Sequence, residues 1–221
     1  EYARLAPDLE SVSVDARQIL AAPNESIRYV YFLRDALVSL LIDVDDGSTM
    51  EGAAIGNEGV IGLGVFLGDG NSADHIAVQV AGGAARMTAA ALREAIRQGP
   101  QLQSFLQQYA LALMHQLART AACNRLHSVQ QRCARWLLMS DDRLHRGTFP
   151  LTHESLAILL GVRRASVSEA VEMLQRQGCI AYQRGRMSIV DRVGLEAAVC
   201  EDYRRTRDAY NQIYRRVATH H

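Results

Sequence analysis

The chain has 221 residues, 48% of them hydrophobic and 22% charged, which is enough for two domains of ordinary size with real cores. No apolar run approaches the ~18 residues that a membrane-spanning helix needs, and no signal peptide is visible, although the chain opens at Glu1 rather than at Met. Net charge is zero overall, but residues 1–118 carry 7 Arg against 14 Asp and Glu, whereas residues 119–221 carry 17 Arg against 10, so the halves stand at −7 and +7. Lysine is absent, so the cationic groups are the guanidinium forks that pair bidentately with phosphate and guanine. An acidic module joined to a basic one is the charge pattern of a sensing unit coupled to a nucleic-acid-binding unit.

From Arg17 to Met87 the pattern is short strands and turns. Arg28–Leu33 and Ala36–Ile42 are apolar, β-prone runs separated by Arg34-Asp35. Asp45-Asp46-Gly47-Ser48 reads as a hairpin turn, followed by a strand over Thr49–Ile55 and the glycine-rich stretch 56–64. A charged tip over Leu67–Asp74 precedes two more strands, His75–Ala81 and Gly83–Met87. Many short strands with Gly turns predict a barrel-like or jelly-roll core, an acidic β-roll. Thr88 is then placed to cap a short helix through Arg97, and Gly99-Pro100 punctuates before a long helix over 100–126. Within it Leu106, Ala110, Leu113, Leu117, Thr120 and Asn124 recur at spacings of 4, 3, 4, 3 and 4, the heptad seam of a two-stranded coiled coil. Phe105, Tyr109 and Ala112 form a second stripe that can rest on the β-roll. A helix with two apolar faces is either a core helix or a dimer helix carrying its own domain, and the reading favours the dimer.

The basic half carries the most specific signal. Thr152 is positioned to cap a first helix with Glu154 in its first turn, and Leu156, Leu159 and Leu160 share one face. Gly161 supplies the positive φ that a tight turn between crossed helices needs. A second helix buries Val167, Ala170, Val171 and Leu174 and stops at Gly178. Its outward face begins Arg163, Arg164, Ala165, then Ser168 and Glu169, the positions that enter a major groove. Cys179–Val190 reads as two strands about a tight Arg184-Gly185-Arg186 turn, a wing whose arginines are placed to meet phosphates. The expected class is therefore α+β: residues 1–99 a β-roll sensor, 100–126 a dimerisation helix, and 127–221 a winged helix-turn-helix with a helical extension.

Cys123, Cys133, Cys179 and Cys200 lie 10, 46 and 21 residues apart, which matches no disulfide framework and no C-x₂-C metal pattern. Free thiols in a reducing cytoplasm are the expectation, with no metal site and no cofactor. His75 and His115 are isolated in sequence, and the closing His220-His221 pair stays open between a native end and a tag remnant. No P-loop, Rossmann fingerprint, G-x-S-x-G or paired-His metal motif occurs, so catalytic residues are not expected.

Taken in order, Tyr31-Phe-Leu, Gly56-x-Glu-Gly-Val-Ile-Gly62, Val78-Gln-Val-x-Gly82, Gln131–Leu138, the helix-turn-helix and the wing Arg184–Asp191 resemble the Crp/Fnr superfamily of bacterial transcription regulators over nearly the whole chain. The tail Gly194–Tyr203 is similar to a branch that adds a terminal helix. The resemblance implies a homodimer paired through the long helices and bound to a palindromic operator in double-stranded DNA, with RNA polymerase a further candidate partner. It implies that Arg164 grips a guanine, that Ser166 contacts phosphate, and that Arg163 and Ser168 flank the groove, while Thr152, Arg184 and Arg186 complete the DNA-binding set. Departures fall at Ala165, where the family commonly has glutamate, and at Glu169, where it has arginine; Glu169 either accepts from a cytosine amino group or pairs with a nearby arginine. Cyclic-nucleotide-binding members hold the ribose with an acid, the phosphate with an arginine and the base with a Thr-Ser step. Here Gly62–Gly68 has no acid, no arginine occurs between Arg34 and Arg86, and Leu117-Ala118 occupies the Thr-Ser step, so cyclic AMP is not expected to bind. Glu58 lies in a turn that reads as surface-exposed. An unknown small-molecule effector between β-roll and long helix is expected near Gly62, Leu63, Leu117 and Thr120, with the absence of any ligand left open. The alternative is a ligand-sensing dimer whose winged domain contacts protein rather than DNA.

Overall fold

The computed structural model describes residues 2–45 and 47–218. Glu1, Asp46 of the expected hairpin turn, and His220 and His221 lie outside the described residues. After a helical turn (α1, Tyr2–Leu5) come the strands β1 (Glu10–Val14), β2 (Ile19–Ala21), β3 (Tyr29–Leu33), β4 (Leu37–Asp43), β5 (Thr49–Ile55), β6 (Val60–Ile61), β7 (His75–Val80) and β8 (Gly82–Thr88). A one-turn helix, α2 (Gly64–Leu67), separates β6 from β7. The strands pair antiparallel into two four-stranded sheets, ordered β1-β8-β3-β6 and β2-β7-β4-β5. Inward side chains from both sheets, among them Val14, Leu33, Val38, Ile55, Ile76, Val78 and Ala84, close the interior. The strands expected from alternation are β3, β4, β5, β7 and β8. The short β1, β2 and β6 were not expected, because segments of two to five residues draw their stability from a partner strand rather than from their own pattern.

Thr88 ends β8 and caps α3 (Ala89–Gln98), its hydroxyl accepting from the Ala91 amide at 3.1 Å. Pro100 then starts α4 (Pro100–Leu126), the 27-residue helix that the Gly99-Pro100 step announced. Among the described residues no helix is long and apolar enough to cross a membrane.

α4 lies on the β-roll differently from the expected seam. Leu106 is fully buried in a core with Val30, Val60, Met87, Leu92 and Tyr109, so it cannot meet a second chain. Leu113 packs on both β-roll clusters, and Leu117 reaches to 3.4 Å from where a Cβ on Gly52 would stand. Thr120 accepts from Arg135 at 3.2 Å. The face left open is displaced by about one residue, with Leu111 56% and Met114 66% exposed and Ala118, Ala121 and Arg125 on the same side. The stripe expected to rest on the roll does so, with Tyr109 and Ala112 buried and Phe105 packed on the same cluster. The open stripe through Leu111 and Met114 has the same 3.5-residue period as the expected seam, so periodicity could not tell those two apart.

His127 ends α4, and a capping box between Ser128 and Gln131 starts α5 (Val129–Leu144). The winged unit follows: β9 (Thr148–Pro150), α6 (His153–Leu160), α7 (Arg164–Arg176), β10 (Ile180–Gln183), β11 (Arg186–Ile189) and α8 (Arg192–Ala198). The last helix, α9 (Glu201–Ala218), returns along α4, stacking Tyr210 toward Tyr109 at 6.3 Å and hydrogen-bonding Gln116 at 2.9 Å.

The two units share one interior. Trp136, Leu137, Leu159 and Leu160 pack with Leu37, Ala54 and Val80 of the β-roll. Glu51, on β5, accepts from the Trp136 indole at 3.0 Å and from Ser39, and burial pushes its carboxyl pKa up. Arg143 donates to Glu58 at 2.6 Å and to Gln116 at 3.1 Å, while Gln116 donates to the Ala54 carbonyl at 2.9 Å. Glu58 is thus buried and paired, contrary to the expected surface turn, because an arginine 85 residues away in sequence folds over it.

Candidate nucleic-acid interface

The helix-turn-helix is built as its sequence demands. Thr152 Oγ1 accepts from the Ser155 amide at 3.0 Å and starts α6. Arg132, from α5, donates to the Leu160 carbonyl and so satisfies an otherwise orphaned acceptor at the helix end. Gly161 adopts φ +61°, and a Cβ there would lie 3.4 Å from Met50, so this turn also rests on β5 of the roll. Val167, Ala170, Val171 and Leu174 turn α7 inward, leaving Arg163, Arg164, Ala165 and Glu169 exposed at its start.

The wing is a two-residue hairpin with φ +50° at Arg184 and +74° at Gly185, the pair of positive angles of a type I′ turn. β9 adds a third strand to it. The Leu151 amide bonds the Gly185 carbonyl at 2.9 Å, which holds the exposed Arg184 and Arg186 beside Thr152 and the start of α6. Arg164 and Glu154 stand 3.8 Å apart, both largely exposed. Thr152, Arg163, Arg164, Glu169, Arg184 and Arg186 therefore belong to one solvent-facing region around the starts of α6 and α7. Ser166 is half-buried, and Glu169 makes no ion pair among the described residues.

Ser168 also has a partner within the domain. Its hydroxyl meets His153 Nδ1 at 2.9 Å, and the His153 ring lies 4.4 Å from that of Tyr182. This bridge joins α6, α7 and β10, fixing α7 relative to the wing. Burial first, and then the charge of Arg164, lowers the His153 pKa. The sequence reading missed this buttress; a histidine just inside a capped helix was its only trace.

The residues proposed to contact an effector are not gathered. Gly62 and Leu63 sit at the α2 turn against Ile27 and Val30, whereas Thr120 lines a small crevice with Arg132, Arg135 and Trp136. A cavity of about 850 Å³ lies elsewhere, between the turn at Asn57 and Glu58, α5, and Arg192, Arg207 and Tyr210 of the C-terminal helices.

Residues 131–198 match the family model of the Crp-like helix-turn-helix domain. Solved structures share the wider fold. FixK2 from Bradyrhizobium japonicum is 18% identical, with a TM-score of 0.74 over 87% of this chain and 98% of its own. A CRP-family transcriptional regulator from Thermus thermophilus is 19% identical, with a TM-score of 0.67 over 85% and 95%. The c-di-GMP-responsive global regulator CLP of Xanthomonas campestris is 13% identical, with a TM-score of 0.64 over 85% and 97%. No curated protein sequence matches the chain. Residues 131–198 thus form a Crp-like helix-turn-helix domain, carried on the fold of Crp/Fnr regulators.

Proposed function

We propose that this chain is a sequence-specific DNA-binding transcription regulator acting as a homodimer on a palindromic operator. The observation that carries the reading is the single exposed region in which Arg163 and Arg164, at the start of α7, stand with Arg184 and Arg186 on the wing. Arg164 reads a guanine edge; Arg186 and Arg184 hold phosphates; Ser166 contacts the backbone from the helix N-terminus. Glu169, unpaired and exposed, accepts from a cytosine amino group. The second copy pairs through the open face of α4 at Leu111 and Met114, which sets half-sites about 34–36 Å apart. The effector is not cyclic AMP, since no arginine between positions 34 and 86 is available to pair a buried phosphate.

Selection of genomic fragments by the purified protein, followed by sequencing, tests the reading. Enrichment of a palindrome is expected. Arg164→Ala should cost about 1–3 kcal/mol and relax one base position. Arg186→Ala should weaken all sequences alike and lower the salt slope by about one. Equal binding by wild type and both variants would remove DNA from this surface and leave a protein partner for the winged domain.

A further inference from the structure

Four potential metal ligands converge where the winged domain joins the rest of the chain. Cys123 and His127 are one turn apart at the end of α4, so they share a helix face. Cys200 and Asp202 stand at the start of α9. One ligand atom from each of the four lies within 4.8 Å of all the others. The sulfurs of Cys123 and Cys200 are 3.6 Å apart, and His127 Nδ1 is 3.5 Å from Asp202 Oδ2. Zinc bonds of about 2.3 Å to sulfur and 2.0–2.2 Å to nitrogen or oxygen give tetrahedral edges of roughly 3.8 and 3.4 Å. The sulfur–sulfur and nitrogen–oxygen separations match two such edges, and the sulfurs are farther apart than the ~2.05 Å of a disulfide.

The surroundings fit a cation. Cys123, Cys200 and Asp202 are buried, and His127 Nδ1 is a buried nitrogen with no hydrogen-bond partner. The other ring nitrogen faces Glu201 at 3.5 Å, the carboxylate–histidine arrangement that orients a ligating imidazole. Arg119 stands 3.6 Å from Asp202 and offsets the excess negative charge of two thiolates and a carboxylate around a divalent ion.

We propose that Cys123, His127, Cys200 and Asp202 form a four-coordinate site for a thiophilic divalent cation of the zinc class. Two thiolates with one imidazole and one carboxylate suit such an ion and not calcium or magnesium. Binding displaces the thiol protons to solvent. Its position gives the ion a role. Residues 123 and 127 immediately precede the helix-turn-helix domain of residues 131–198, and residues 200 and 202 immediately follow it, so the ion staples both ends of that domain to one point on α4. Metal occupancy then restrains how the winged domain is carried, a regulatory role that rests on the DNA-binding reading above.

The test uses the full chain, reduced and stripped with a chelator, and titrated with Co²⁺ as the optical probe and Zn²⁺ as the competitor. One ion per chain is expected, with thiolate-to-cobalt charge transfer and tetrahedral d–d bands that Zn²⁺ abolishes. Cys123→Ser and Cys200→Ser should each lose about half of the charge-transfer band and the two together all of it, His127→Ala should weaken binding, and Glu201→Gln should weaken it about 10-fold. Circular dichroism checks that each variant is folded. Replacing His220 and His221 by alanine should leave the band intact. A chain that gives no charge-transfer band overturns the site; so does a signal that survives the two serine changes together or vanishes with His220 and His221. Operator affinity is measured separately with and without Zn²⁺. Ion binding without any DNA binding would leave the site standing and defeat the regulator reading; DNA binding without ion binding would do the reverse.

Discussion

Arg143 is the side chain whose removal tells most about how the two units are held together. It is 5% exposed and donates to Glu58 at 2.6 Å, to Gln116 at 3.1 Å and to the Met139 carbonyl at 3.1 Å. Arg143→Met keeps most of the aliphatic stem that packs on Gly56, so the change isolates the lost charge. What remains is the Glu58 carboxylate, 9% exposed, with its cation gone. Breaking one side of such a buried pair costs about 3–5 kcal/mol, a large part of the ~5–15 kcal/mol that holds an ordinary domain. Adding Glu58→Gln removes the stranded charge, so the double variant should recover at least ~2 kcal/mol. Urea unfolding at fixed protein concentration is the assay, followed by the fluorescence of Trp136. That is the chain's one tryptophan, and it is hydrogen-bonded to Glu51 at the same junction. With a slope of about 1–3 kcal/mol per molar, the single variant should lower the midpoint by roughly 1–5 M. A single variant within ~1 kcal/mol of wild type, or a double variant no better than the single, would refute the reasoning.

The two stripes of α4 separate cleanly by substitution: Leu106→Ala should cost about 2–5 kcal/mol in unfolding experiments, whereas Met114→Asp should leave the fold intact and shift sedimentation toward monomer. Equal oligomeric states for Met114→Asp and wild type would place the second copy elsewhere. Gly161→Ala should lower stability by about 1–2 kcal/mol, since alanine is strained at φ +61°, with Gly161→Asn milder; denaturation midpoints check the order. The lowered pKa of His153 has a definite sign. Above its unfolded value of 6.5 both states are neutral there and its contribution is whole; as pH falls through 6.5 toward the lower folded value, the unfolded chain takes the proton first and stability is lost. Melting temperatures from pH 7.5 to 5 should show this decline flattened in His153→Gln, and parallel curves would exclude His153 as its source.

Local chemistry was legible in the sequence. Thr88, Thr152 and Gly161 mark the helix ends that the structure places there, because caps and positive-φ turns depend on the residue itself and its nearest neighbours. The Arg184-Gly185 hairpin and the strands with clear alternation belong to the same class. Likewise the charge difference between the halves needed no coordinates. The roll-facing stripe through Tyr109 and Ala112 was legible too, but the face of α4 left free was not. The seam through Leu106 and the stripe through Leu111 and Met114 share one period, and only the docking of α4 on the roll decided which was buried. Glu58, read as a surface acid, became a buried partner of Arg143, and the bond between Ser168 and His153 had no signature in either residue's local sequence. Cysteine spacing suggested nothing, since Cys123 and Cys200 are 77 residues apart and meet only because α9 folds back along α4. Hydrogen bonds along a helix or across a hairpin couple residues a few positions apart; burial and charge pairing between elements are set by long-range packing, which no local pattern encodes.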